Sequence, residues 1–179
     1  NTAETNIQQM QFIMRAIEKG AKLIVIDPRR TQTAERAELL VQPRPGTDGA
    51  LALGIAHLLI KDKKIDNDFI NNHVLGGEDF ANLALNYDPA ITSEITDVPP
   101  EYIFRLAKDI GNIRPLSINA GFGMQRYTNS GQTIRAIIAL LALTGNIGKP
   151  GAGWIYANLQ SHIFDEVKDP IAFYPPEKS

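Results

Sequence analysis

A run of mostly branched apolar residues, Lys22 to Ile26, ends on Asp27-Pro28-Arg29-Arg30-Thr31. Arg44-Pro45-Gly46-Thr47-Asp48 then leads into a long apolar stretch. The first phrase predicts a strand buried on both faces and stopped by Pro28. The second predicts a proline–glycine turn that opens a helix on Asp48. Strands that alternate with helices imply a parallel sheet, because parallel strands need a crossover between them. In such sheets the strand-end loops converge on one crevice, so Asp27 and Asp48 become candidate ligand-binding groups.

The rest of the chain extends this pattern. Helical spacing covers Gln8 to Lys19, with Met10, Ile13, Met14 and Ile17 on one face and Gly20 closing it. Thr33 to Leu40 reads as a helix capped by Thr31 or Thr33, and Leu40 and Val41 read as the start of a short strand. Thr47 to Lys61 is apolar on most sides and should be largely buried. Shorter helices are expected over Asp66 to Asn72 and Glu78 to Leu85, separated by Gly76-Gly77. Tyr87 to Thr96 reads as loop-rich. Prolines at positions 99 and 100 open a helix to about Ile110, ended by Gly111. Leu116 to Ala120 reads as a strand, Gly121-Phe122-Gly123 as a turn, and Ser130 to Leu143 as an apolar helix ended by Gly145. Asn146 to Ser179, rich in glycine and proline, reads as an extended tail. The expected class is α/β: an open, mainly parallel, Rossmann-like sheet with helices on both faces. Two firm strands are few for 179 residues, and the polar opening Asn1-Thr2-Ala3-Glu4-Thr5 predicts that the first strand is missing.

Composition removes several classes of function. A formal net charge of −2 gives no reason to expect nucleic-acid binding. No run is long enough for direct membrane insertion, and the first residues do not resemble a leader. With no cysteine, the chain offers no thiolate for a metal or an iron–sulfur cluster. His57, His73 and His162 lack metal-ligand spacing, so each reads as a surface or helix-face histidine. The compartment stays open, leaning to the cytoplasm.

Three loops carry polar chemistry: Asn1 to Thr5, Asp27 to Thr31, and Gly121 to Gln125. Asp27 stands where dinucleotide folds place an acid for ribose hydroxyls, and also where an Asp-Pro turn bonds its own backbone. Arg29 and Arg30 suit phosphate, and taken alone they read as surface charge. For Asp48 two readings are equally served. In one, Thr47 caps the helix and Asp48 complements its dipole. In the other, the carboxylate accepts the paired N–H donors of a guanine. The glycines at 121 and 123 permit positive φ and close backbone approach to a ligand. There is no G-x-G-x-x-G fingerprint, no Walker loop and no nucleophile–base pair, so no catalytic residue is assigned. Glu35 and Glu38 read as a solvated helix face.

Several phrases, in order, resemble the molybdopterin oxidoreductase family, which includes formate dehydrogenases, nitrate reductases and dimethyl sulfoxide reductases. Asn1-Thr2-Ala3-Glu4-Thr5 resembles the end of its G-x-N-x-A-E loop. Ile26-Asp27-Pro28-Arg29-Arg30-Thr31 resembles a strand-end motif, and Arg44 to Leu51 resembles P-G-T-D-x-A-L. Thr96-Asp97-Val98-Pro99 is similar to T-G-V-P, with Asp97 where glycine is common. Gly121 to Arg126 resembles G-x-G-x-Q-R, and Arg135-Ala136-Ile137 with Leu143 to Gly148 resembles R-A-I…L-T-G-N-I-G.

The resemblance implies that residues 1–153 form part of a domain binding one molybdopterin guanine dinucleotide. Residues 154–179 would be an extended tail without an assigned role. The implied cofactor contacts are Asn1, Thr2, Ala3, Glu4, Ile26, Asp27, Pro28, Arg29, Arg30, Gly46, Thr47 and Asp48 at the nucleotide end, with Gly121 and Gln125 toward the pterin. It further implies molybdenum or tungsten and an iron–sulfur cluster in a longer enzyme, neither held by this chain, which would be inactive alone. The implied partners are the remaining domains of the same polypeptide and electron-transfer subunits. Two other readings stay open: a non-redox nucleotide-binding module, such as the central domain of thiamine-diphosphate enzymes, and a structural α/β domain that binds nothing.

Overall fold

The computed structural model describes residues 1–156; most of the expected tail, with His162, lies outside them. Four short strands and eight helices make an α/β fold in which all strand pairing among the described residues is parallel. Strand β1 (Ile24–Ile26) pairs with β2 (Leu39–Val41), Ile24 opposite Leu39. Strand β3 (Ser117–Asn119) pairs with β4 (Gly153–Ile155), Ser117 opposite Gly153. The parallel pairing is thus divided between two two-stranded ladders. β1 is only half-buried and leaves Ile26 42% exposed, not buried on both faces as its composition predicts.

The helices are α1 (Thr2–Thr5), α2 (Ile7–Glu18), α3 (Asp48–Lys61), α4 (Asn67–His73), α5 (Gly77–Ala84), α6 (Pro89–Thr96), α7 (Pro100–Asn112) and α8 (Ser130–Leu143). Helix α3 is the hub and packs against α5, α6, α7 and α8. Every residue from Leu51 to Leu59 is buried, as its all-round apolar sequence requires. Opposite it, α7 sets Ile103, Leu106 and Ile110 into the same core. Each such side chain contributes roughly 1.5–3 kcal/mol of burial. His57, buried on α3, places Nδ1 3.2 Å from the Leu85 carbonyl.

Four local expectations change. The helix expected over Thr33 to Leu40 shrinks to one 3₁₀ turn, Ala34–Arg36, because Ala37 is extended and Leu39–Val41 pair with β1. Ladder hydrogen bonds outweigh the helix propensity of alanine, glutamate and leucine. Tyr87 to Thr96, read as loop, contains α6. Asp88 caps it by accepting from Ala90 N (2.8 Å) and Ile91 N (2.9 Å), and Pro89 opens its first turn. Asn1 to Thr5 forms a single helical turn instead of a loop. Helix α7 continues through Gly111 to Asn112.

A charge network sets the β1–β2 ladder against this core. Lys22 Nζ lies 3.4 Å from Glu38 and 3.6 Å from Asp109, and Arg105 bonds both acids, reaching Asp109 with Nε at 2.7 Å. Asp109 is buried between the two cations, and a carboxylate there needs both for compensation. Glu38 is therefore tied into the network and does not belong to a free solvated face.

Candidate functional site

The C-terminal ends of β1 and β2 open side by side. Asp27 N donates to Val41 O at 3.0 Å, carrying the ladder one rung past the strand. Asp27 Oδ1 then accepts from Arg29 N at 2.8 Å, the self-bonded turn that an Asp-Pro sequence favours. That turn engages one carboxylate oxygen and leaves Oδ2 for other donors. Pro28 O accepts from Gln42 Nε2 at 3.0 Å, so the turn is also held from the β2 side. Arg29 and Arg30 are exposed, and neither takes part in an ion pair among the described residues.

The first turn of the chain docks on this loop through buried Thr33, whose Oγ1 accepts from Ala3 N (2.9 Å) and donates to Asn1 Oδ1 (3.0 Å). Asn1, Thr2 and Ala3 are half-buried by that contact, while Glu4 points to solvent. Sequence named Thr33 only as a possible helix cap, which its side chain does not form, and not as the dock of the first turn. A threonine between two polar loops carries no pattern that would distinguish it.

The second carboxylate arrives from β2. Arg44 N donates to Thr96 O at 2.7 Å. Gly46 turns with φ 85°, which favours glycine, and Asp48 begins α3. Thr47 makes no side-chain cap; its hydroxyl donates to Arg44 O at 2.6 Å and tightens the turn. The capping reading of Thr47 is therefore incorrect. Burial pushes the half-buried Asp48 carboxyl above the usual aspartate range. Its own backbone N–H draws it back, and the negative charge of Asp27 adds to the rise. Asp27 and Asp48 thus stand on separate elements that leave the same end of the β1–β2 ladder.

Gly121 and Gln125 lie at the end of β3, where Ala120 N extends the second ladder by donating to Ile155 O at 3.0 Å. Residues Phe122–Arg126 form a 3₁₀ turn, and both named side positions are exposed. Gly121 has φ −84°, so positive φ is not its reason for being glycine; a Cβ there would meet open space. The segment that follows reaches the first site. Asn129 Nδ2 donates to Gly46 O at 3.2 Å, and the Tyr127 ring lies 3.1 Å from where a Cβ on Gly46 would sit. Sequence reading missed Tyr127 and Asn129, because each acts on a residue far away in the chain.

A groove of about 950 Å³ runs between α3, α5 and α8 and takes in Gly46 and Thr47 at one end, but its walls include neither Asp27 nor Asp48. Among the described residues there is no cluster of metal-ligating side chains, and no helix is long and apolar enough to cross a membrane.

Comparison with known proteins identifies the family. A sequence model of the family described as molybdopterin oxidoreductase matches residues 2–171. A probable oxidoreductase of Bacillus subtilis, YoaE, is 40% identical over 158 residues, which cover 88% of this chain and 23% of that protein. The alpha subunit of F420-dependent formate dehydrogenase 1 of Methanococcus maripaludis is 39% identical, covering 86% of this chain and 23% of that protein. In structure, acetylene hydratase from Pelobacter acetylenicus matches with a TM-score of 0.77 at 33% identity, over 82% of this chain and 20% of that one. The chain thus spans less than a quarter of the length of these relatives.

Proposed function

Because the chain belongs to the molybdopterin oxidoreductase family, we propose that it holds one guanine-dinucleotide arm of a molybdenum or tungsten pterin cofactor within a longer oxidoreductase. The carrying observation is that Asp27 follows β1 and the turn leading to Asp48 follows β2, both leaving the same end of one parallel ladder. In this reading Asp27 Oδ2 takes ribose hydroxyls, Asp48 takes the guanine N–H edge, and Arg29 and Arg30 take the phosphates. The first helical turn, Asn1 to Glu4, walls the nucleotide end. Ile26 and Pro28 shape the floor, and Gly46 and Thr47 carry Asp48. Gly121 and Gln125 face the pterin.

The residues fit the group chemically. One acid is half-buried, which strengthens a charge-assisted hydrogen bond, and the two arginines make no ion pair among the described residues. When bound, the pterin-held metal supplies two-electron redox chemistry. This chain supplies orientation and charge, and no catalytic residue is assigned to it. One relative is named a formate dehydrogenase and another a hydratase. The shared region therefore does not set the reaction, and the substrate, the iron–sulfur cluster and the electron-transfer partners belong to other parts of such an enzyme.

Guanosine diphosphate added to the isotope-labelled 179-residue chain should move the backbone resonances of Asp27 to Arg30 and Gly46 to Asp48, and leave those of α5 unmoved. Shifts confined to the groove between α5 and α8 would move the site elsewhere.

A further inference from the structure

Asp97 holds a backbone conformation that a side chain disfavours. It follows α6 with φ 60° and ψ 11°, in the left-handed region where glycine is the easy choice. In return its carboxylate takes a two-point bond from Arg44, Nε to Oδ2 at 2.8 Å and Nη2 to Oδ1 at 2.6 Å. The pair bridges 53 positions of sequence, and both side chains are more than half exposed. An exposed pair of this kind and the strain of a left-handed aspartate are of similar size and opposite sign, so the exchange yields little net stability.

What the pair does yield is position. Arg44 is the post on which the site turn hangs. Its N–H is bonded to Thr96, its carbonyl receives both the N–H and the hydroxyl of Thr47, and its guanidinium is fixed by Asp97. Asn129 fastens the neighbouring Gly46 carbonyl. All of these bonds end at the turn that presents Asp48. We propose that Asp97 is a positioning residue for guanine recognition, clamping Arg44 so that the Arg44–Asp48 turn is ordered before the nucleotide arrives. This rests on the guanine reading of Asp48. An ordered turn binds more tightly because less freedom is lost on binding.

The test uses Asp97→Gly and Asp97→Asn in the 179-residue chain. Both residues tolerate the left-handed backbone and neither can form the charged two-point bond. Guanosine diphosphate affinity should fall about three- to fivefold, and the hydrogen-bonded amides of Arg44 and Thr47 should exchange with solvent several times faster in order of magnitude. The denaturation midpoint should stay near the wild-type value. A purely structural role would instead lower the midpoint and leave the affinity of the folded chain intact, which overturns the proposal. Unchanged exchange, or faster exchange with unchanged affinity, also overturns it. A wild-type chain that binds no guanosine diphosphate defeats the guanine reading separately, and the exchange rates then decide alone whether Asp97 fastens the turn.

Discussion

Asp48→Asn should lower the affinity of the chain for guanosine diphosphate by about 10- to 100-fold, the range expected for a charge-assisted hydrogen bond to a paired donor edge. It should not destabilise the unliganded fold. Burial raises the folded-state pKa of Asp48 above its unfolded value. The folded state then binds the proton more tightly, and the contribution of this group to stability falls as pH rises through the window between the two values. Asparagine resembles the protonated form, so the variant should match the wild type at acid pH and equal or exceed it at neutral pH. Urea midpoints of both proteins across that range check the sign. A variant that is less stable at neutral pH with unchanged affinity would return Asp48 to a helix-dipole role. Asp27→Asn should cost less affinity, because one oxygen of Asp27 is already engaged by Arg29 N.

Gly54→Ala should destabilise the fold by about 2 kcal/mol, net of the helix propensity that alanine adds. Gly54 lies on the buried face of α3 against α6. A Cβ there would come within 2.6 Å of Thr92 Cγ2 and 2.8 Å of Thr92 Cβ, and closer still to the hydroxyl. Thr92 cannot swing aside, since it is fully buried and its Oγ1 donates to Tyr87 O at 3.1 Å. The helices must separate instead, which opens the core that carries α3 and, at its N-terminus, Asp48. Combining Gly54→Ala with Thr92→Ala should recover part of the loss, a coupling that a double-mutant cycle reads directly. Full additivity would mean that the two positions do not oppose each other.

The elements that sequence placed well are those whose physics is local or uniformly apolar. Helices α3 and α8 follow from their composition, and the stop after β1 follows from Asp27-Pro28. Helix α6 escaped notice because its buried positions include Thr92 and Thr96, whose hydroxyls bond to backbone carbonyls and so hide polar residues in a core. Its Asp88-Pro89 start was a readable cap signal that the neighbouring polar residues masked. The helix expected over Thr33 to Leu40 failed for the opposite reason: propensity favoured it, and pairing with β1 decided otherwise. At the site, sequence supplied both acids but not their proximity, which depends on the register that sets Ile26 beside Val41. The unusual residue at Asp97 was visible; its partner, Arg44, was not.

Calorimetric titration of guanosine diphosphate and adenosine diphosphate into the 179-residue chain tests the central claim most directly. Guanine offers two adjacent N–H donors to the Asp48 carboxylate, whereas adenine sets a ring-nitrogen acceptor against it and leaves a half-buried charge without its second partner. The account predicts tighter binding of guanosine diphosphate by about tenfold or more, with the preference lost in Asp48→Asn. Equal binding of the two nucleotides, or a preference for adenosine diphosphate, would contradict it.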